Sequence, residues 1–279
     1  MNQEFADCMR EHGFEPPNYP MPTGKYFRFG RNYSNWGFLF EDGMGGVFGS
    51  WKTGERHVWQ SPKSKRTPYE REQFAQHLKA VKAIEDAKRE EGYAKASDRA
   101  REVFDRAGEP DPNHPYLVTK RIKPHGIKQE GDKLLIPVYS VDGEFQSLQT
   151  IDPKGGKRFF AGGKMTGGCH MIGQIKQGKP IFIAEGYATA CSIHKDGGHF
   201  VVVAFNAGNL MAVAKDLREQ FPEMEIVIAG DDDPVGRKSA EEASRAVGGK
   251  AIFPPFINKQ SGLTDWNDYI NSKENNEPN

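Results

Sequence analysis

Three acidic positions stand out by type and spacing: Glu185 in IAEGYATA, and Asp231 and Asp233 in VIAGDDDPVGRKSA. Neighbouring carboxylates repel one another unless a cation or basic group offsets their charge. One Glu and a pair of Asp present hard oxygen ligands suited to Mg²⁺ or Mn²⁺, ions that retain waters and bridge to substrate phosphates. The chemistry available to such a set is metal-assisted phosphoryl transfer. Each residue also has a plainer reading. Asp233 before Pro234 fits a helix N-cap with proline at the first helical position, and Glu185 suits the dipole of a following helix. Their joint placement favours the chemical reading.

That placement follows from the elements around them. From Lys179 onward, strand IFIAE (181–185), a helix to Gly197-Gly198, strand FVVVAF (200–205), helix LMAVAKDLREQF, strand EIVIAG (225–230), helix VGRKSAEEASRAVGG and strand KAIF alternate. Continuous Val, Ile and Phe strands of this kind suit a parallel sheet covered by helices on both faces. Loops leaving parallel strands open on one edge, where ligands bind in this class of fold. Glu185 ends the first strand, Gly208-Asn209 follows the second and Asp231 to Asp233 follow the third, so residues far apart in sequence converge on one crevice.

Upstream lies a stretch of opposite character. Between Pro153 and Ala184 the charged residues are Lys154, Lys157, Arg158, Lys164, Lys176 and Lys179, with no acid among them. The chain as a whole is neutral, with 38 basic and 38 acidic side chains, which would disfavour a nucleic-acid partner. The segregation of sign along the chain reverses that inference. Lys157, Arg158 and Lys164 sit in the glycine-rich loop PKGGKRFFAGGKMTGG, where bare glycines permit backbone approach and cations hold phosphate. A solvated loop is the alternative. Lys120, Arg121 and Lys123 extend the same basic ridge. Arg237 and Lys238 either offset the acidic run or touch a triphosphate.

The segments IAEGYATA and VIAGDDDPVGRKSA resemble the TOPRIM domain of bacterial-type DNA primases, topoisomerases and some nucleases, with Asp231, Asp233 and Gly236 on the Asp-x-Asp-x-x-Gly pattern. The primase branch is the nearer match: Glu-Gly-Tyr, the loop AFNAGNL, Asp-x-Asp-x-x-Gly-Arg and a final acidic pair, here Asp265 and Asp268 in TDWNDY, occur in that order. The likeness is strong over 176–270, weaker over 114–175, and is to the short primases of plasmids and phages. It implies synthesis of a short RNA primer from nucleoside triphosphates on a single-stranded DNA template with Mg²⁺ or Mn²⁺. It also implies Glu185 as base or metal-bound carboxylate, Asp231 and Asp233 as the main metal ligands, and Asp265 and Asp268 as additional ones. Lys157, Arg158, Lys164, Asn209, Arg237 and Lys238 become the nucleotide- and DNA-binding candidates. Asp232 has no assigned role and is expected to face solvent.

The remaining sequence divides as a β-rich N-terminal module (1–66), a helical connector (67–108), a basic α+β primase-core subdomain (109–175), the α/β TOPRIM subdomain with its parallel sheet and flanking helices (176–270) and a disordered tail (271–279). In the first, KYFRF, WGFLF, VFGSWK and HVW read as short antiparallel strands, with Asp42-Gly43 as a hairpin turn. Its aromatics and cations (Tyr26, Phe27, Arg28, Phe29, Arg31, Tyr33, Trp36, Trp51, Lys52, Trp59) can stack bases, though alternation leaves at most half exposed and most belong to a core. In the connector, Phe74, Leu78, Val81 and Ile84 form one helical face, Gly92 breaks the helix and Ser97 caps a second.

Other chemistries find little support. Cys8, Cys169 and Cys191 are too few and scattered for a disulfide framework or zinc ribbon. Cys191 and His194, three apart on a helix, are better read as a buried thiol and a surface histidine than as zinc ligands. The run GQIKQGK approaches a phosphate loop, but Pro180 stands where Ser or Thr must hold magnesium. Unwinding therefore falls to a separate replicative helicase. The front of the chain carries no zinc module, which leaves template-sequence recognition open. No apolar run approaches the roughly 20 residues a bilayer needs and no signal peptide is readable, so the expectation is a cytoplasmic protein without membrane contact. Two rival functions remain: a TOPRIM nuclease, and a non-catalytic single-stranded DNA-binding accessory protein.

Overall fold

The computed structural model describes residues 2–62, 68–256 and 262–274. The chain forms two compact units, Met1–Ala83 and Ile84–Asn279.

In the first unit, helix α1 (Gln3–Glu11) precedes strands β1 (Tyr26–Phe29), β2 (Asn35–Leu39), β3 (Gly45–Ser50) and β4 (Arg56–Gln60). The strands pair antiparallel in the order β1-β2-β3-β4. Met44 donates its backbone N–H to Asp42 Oδ1 at 2.9 Å, closing the expected Asp42-Gly43 turn. Helix α1 was not anticipated. It arises because Phe5, Ala6 and Met9 fall on one helical face and Asn2 caps its start, accepting from the Phe5 N–H at 3.1 Å. Phe5 packs edge-on against Phe48 with ring centroids 5.7 Å apart. Gly46 makes this possible, since a Cβ there would lie 2.8 Å from the Phe5 ring. Phe27, Phe29, Trp36 and Trp59 are buried, whereas Tyr33 and Trp51 are exposed, so the expected division between core and exposed aromatics now has definite members.

Helix α2 (Pro68–Arg106) runs without a break through Gly92. The anticipated interruption fails because one glycine costs only about 1 kcal/mol among strong helix formers. Ser97, expected as an N-cap, instead donates its hydroxyl to the Phe145 carbonyl at 2.7 Å. Of the face expected from Phe74, Leu78, Val81 and Ile84, the first three side chains lie outside the described set and Ile84 is exposed.

The second unit adds α3 (Pro115–Lys120), then β5 (Lys128–Glu130), β6 (Lys133–Tyr139), β7 (Phe145–Ile151) and β8 (Lys157–Phe159) as a four-stranded antiparallel sheet in that order. Next come β9 (His170–Ile172), β10 (Ile181–Ala184), α4 (Tyr187–Gly197), β11 (Phe200–Val203), α5 (Leu210–Gln220), β12 (Ile226–Ala229), α6 (Pro234–Ala246), β13 (Lys250–Ile252) and α7 (Trp266–Glu274). The second sheet has the order β13-β12-β10-β11-β9. Strands β10 to β13 are parallel, as the β-α-β alternation requires, but β9 joins the edge antiparallel, so the sheet is mixed. One face is covered by a cluster including Leu117, Ile136, Tyr187 and Val203, the other by one including Val202, Leu210, Leu217, Ile228 and Ala243. Each fully buried side chain of this size contributes roughly 1.5–3 kcal/mol.

Helix α7 includes 271–274 of the expected disordered tail, held by Asn271 donating to the Lys120 carbonyl at 3.2 Å; residues 275–279 lie outside the described set. Among the described residues, no helix is long and apolar enough to cross a membrane.

Candidate active site

The parallel register aligns Ala184, Val203 and Ala229 side by side, so the chain segments leaving β10, β11 and β12 emerge together. Glu185 follows β10 directly and Asp231 lies one residue beyond Gly230 after β12. Both are half-buried, and Glu185 Oε1 and Asp231 Oδ1 are enclosed without a hydrogen-bond partner. Burial pushes the Asp231 carboxyl up to about 7, aided by the charges of Glu185, Asp265 and Asp233 and opposed by Lys157. Glu185 is raised by the same burial and by Asp233, while the Asp231 backbone and Lys157 pull the other way. These mutual effects place Glu185, Asp231, Asp233 and Asp265 in one electrostatic neighbourhood. Gly236 is part of it: a Cβ there would stand 2.8 Å from the Asp231 carbonyl oxygen and 3.1 Å from Glu185 Oε1.

Asp233 has a structural task as well. Its Oδ1 accepts the backbone N–H groups of Val235 and Gly236, both at 2.9 Å, capping α6 before Pro234. Asp232, expected to face solvent, pairs with the Arg237 guanidinium, and its backbone N–H donates to Thr264 at 2.7 Å. Arg237 also lies over the Phe253 ring, 4.3 Å from its centroid. Arg237 therefore offsets the acidic run, one of its two expected roles, while Lys238 is exposed on α6.

The basic residues separate. Lys157 on β8 reaches the acidic group: a Cβ built on Gly186 would lie 3.6 Å from its ammonium. The residue is exposed overall, but this end is crowded. Desolvation and Lys120 hold its pKa below the usual lysine range, against the pull of Asp265, Asp231 and Glu185. Arg158, the next residue on β8, alternates to the opposite face and is exposed. Lys164 exerts its charge on Asp216 of α5 instead. Arg121 and Lys123 are exposed. Lys157, Lys120 and Lys154 line a cavity of about 370 Å³ with Tyr116, Thr119, Gly186, Ala188, Thr189 and Asp265. Gly186, Ala188 and Thr189 belong to the start of α4, whose N-cap Gly186 provides no side-chain hydrogen bond.

Three of the expected site residues have partners within the fold. Asn209 is buried, and its amide bonds to backbone on both sides: it accepts from Gly167 at 2.9 Å and donates to Gly168 at 2.8 Å and Ala204 at 2.9 Å. It fastens the basic loop to the end of β11. Asp265 and Asp268 each commit one oxygen to the start of α7. Asp265 Oδ1 accepts the Asp268 N–H at 2.8 Å, capping α7, and Asp268 Oδ2 accepts the N–H of the preceding residue Thr264 at 3.2 Å. Their other oxygens face the Lys120 ammonium at 3.9 and 3.8 Å. Of α3 (Pro115–Lys120), the sequence reading named only Lys120, as part of the basic ridge, and missed Tyr116 and Thr119. Tyr116 and Thr119 arrive through tertiary packing with no motif of their own, whereas Thr189, four residues after Glu185 on the next helix, had a readable spacing.

Among the described residues, no group of three or more His, Cys, Asp or Glu side chains is arranged to hold a metal ion. The donor chemistry nonetheless fits a divalent cation. Asp231 Oδ1 is buried and unpartnered, its charge is disfavoured as the site stands, and Mg²⁺ commonly binds through one or two carboxylates with water and substrate phosphate completing its shell.

This arrangement coincides with a family. Residues 180–276, in the α/β part of the second unit, match the Toprim domain family. The chain is homologous to DNA primase TraC of Escherichia coli. One such sequence is 38% identical over 192 residues, covering 63% of this chain and 18% of the relative. Another is 35% identical over 285 residues, covering 91% of this chain and 19% of the relative. The chain thus spans less than a fifth of the length of the curated relatives it matches. The primase fragment of the bacteriophage T7 primase-helicase protein superposes with a TM-score of 0.43 at 18% identity, covering 61% of this chain and 77% of that one.

Proposed function

We propose that residues 109–270 form the catalytic core of a DNA primase that joins nucleoside triphosphates into short RNA primers on single-stranded DNA. The observation that carries this reading is the pair of buried, unpartnered oxygens, Glu185 Oε1 and Asp231 Oδ1, beside a cavity lined by three lysines. Asp231 and the second oxygen of Asp233 would hold Mg²⁺ or Mn²⁺. The ion supplies charge stabilisation at the transferring phosphoryl group. The chain supplies the rest. Lys120, Lys154 and Lys157 neutralise the triphosphate, and the uncapped first turn of α4 offers backbone N–H groups to the same anion. Gly186 permits close approach. Glu185, whose pKa is raised by burial and by the Asp233 charge, accepts at Oε1 the proton lost by the attacking 3′-hydroxyl. Template strands are drawn in by the exposed cations of the basic loop, Arg158 among them. In this reading the primers serve plasmid or phage replication in the cytoplasm, with unwinding left to a separate helicase.

The deciding experiment incubates the protein with labelled ribonucleotides, Mg²⁺ or Mn²⁺ and unprimed single-stranded templates of varied sequence, beside Asp231→Ala. Short labelled products that vanish in the variant support the reading. Template shortening without products replaces it with a nuclease, and the absence of both replaces it with a binding protein.

A further inference from the structure

One end of the N-terminal sheet carries a second arrangement, outside the residues to which the proposed chemistry is assigned. Arg28, Trp36, Gly49 and Arg56 are successive cross-strand neighbours, so they form one row across all four strands on one face. Trp36 is buried and lies beneath Trp51, with ring centroids 5.6 Å apart. Gly49 is required in this row, because a Cβ there would collide with the Glu55 carbonyl oxygen and stand 3.0 Å from the Trp36 ring. Trp51 itself is 48% exposed and Tyr33 is 68% exposed, high values for large aromatics. The backbone joins their segments, the Trp51 N–H donating to the Ser34 carbonyl at 2.9 Å.

Tyr33 is presented at a conformational cost. Asn32 and Tyr33 both adopt left-handed backbone, with φ of 57° and 53°, a region that a bulky side chain seldom occupies. The cations around these rings, Arg28, Arg31, Lys52 and Arg56, are all exposed. Within segments 28–36 and 49–56 the sole acid is Glu55, whose carboxylate accepts the Thr53 hydroxyl at 3.1 Å.

We propose that this end of the sheet binds single-stranded nucleic acid, with Tyr33 and Trp51 stacking on unpaired bases and Arg28, Arg31, Lys52 and Arg56 holding phosphates. Exposed π-faces interleaved with cations match an unpaired strand better than a duplex, whose bases are already stacked. A protein partner would be expected to meet a more continuous apolar surface than two rings among four cations. The site does not depend on the chemistry proposed for residues 109–270.

The test is an anisotropy titration of the full chain, without metal or nucleotide, against labelled oligo-dT and a duplex of equal length. Tyr33→Ala with Trp51→Ala should weaken single-strand binding by about tenfold or more. Arg28→Glu with Arg56→Glu, both at exposed positions, should lower the slope of log affinity against log salt by about 1.4, the share of two phosphate contacts. Trp51→Phe should keep most of the affinity but abolish strand-induced quenching of tryptophan fluorescence. Asp231→Ala should bind as the wild type does, which separates this site from catalysis. Unchanged affinity in both the aromatic and arginine variants overturns the proposal, as does equal binding of duplex by the wild type. If the aromatic pair fails to fold, the arginine slope and the Trp51 quench decide it.

Discussion

Gly236 and Glu185 approach so closely that a Cβ at position 236 would lie 3.1 Å from Glu185 Oε1, with the Asp231 carbonyl oxygen nearer still at 2.8 Å. The glycine of the acidic motif is therefore an element of the crevice wall. Gly236→Ala must push the two acids apart or shift the first turn of α6. The expected stability cost is about 1–3 kcal/mol, whereas misplacement of reacting groups is expected to lower primer synthesis by on the order of a hundredfold. Thermal unfolding and product yield per folded molecule, measured on the same preparation, check both.

The pH dependence of stability should report Asp231. Its folded pKa, about 7, is above the carboxylate value of 3.8, so between these limits the folded state holds a proton that the unfolded chain has released. Stability attributable to this group is complete below the unfolded value and falls as pH rises through the folded one. With divalent metal chelated, Asp231→Asn should match the wild type near pH 4. Above pH 7 it should exceed the wild type by on the order of a few kcal/mol. Adding Mg²⁺ or Mn²⁺ at pH 8 should raise the melting temperature of the wild type and leave that of Asp231→Asn unmoved.

Why these acids were legible while much of their surroundings was not has a physical basis. A parallel sheet turns sequence order into spatial order at one edge, so Glu185 and Asp231 could be placed together from strand positions alone. The same logic drew Asn209 toward the site by its place after β11, but backbone alignment does not say whether a side chain faces the crevice or the loop behind it. In α3 only the charge of Lys120 was legible, because the rest of PYLVTK has no chemical signature; the helix is held in place by Asn267 of α7 donating to the Lys120 carbonyl at 2.7 Å. In the N-terminal module, short strands and the Asp42-Gly43 turn were readable, whereas α1 was hidden by its brevity and by the aromatic sequence that follows.

Asn209 should prove structural. Asn209→Ala strands two backbone carbonyls and one N–H in the interior, a loss of about 2–4 kcal/mol on the usual scale for unsatisfied buried groups. Urea denaturation should show that loss, while nucleotide KM per folded molecule at low temperature stays near the wild-type value. A large rise in KM with unchanged stability would return Asn209 to the list of nucleotide contacts.

Lys120 offers a way to separate metal ligation from charge positioning at α7. Asp265 and Asp268 face its ammonium at 3.9 and 3.8 Å while their other oxygens accept backbone N–H groups at the start of the helix. Asp265→Asn keeps an oxygen that can accept the Asp268 N–H, so the cap survives, but it removes the charge that orients Lys120 and that raises Asp231. If Asp265 acts through Lys120, then Asp265→Asn and Lys120→Met should each raise nucleotide KM by a similar factor, about tenfold for one lost charged hydrogen bond. The double variant should then be little worse than either alone, because both changes remove the same interaction. Metal affinity, followed through the melting temperature, should be nearly untouched. Were Asp265 a direct ligand, Asp265→Asn would weaken metal binding where Lys120→Met would not, and the two effects on synthesis would multiply.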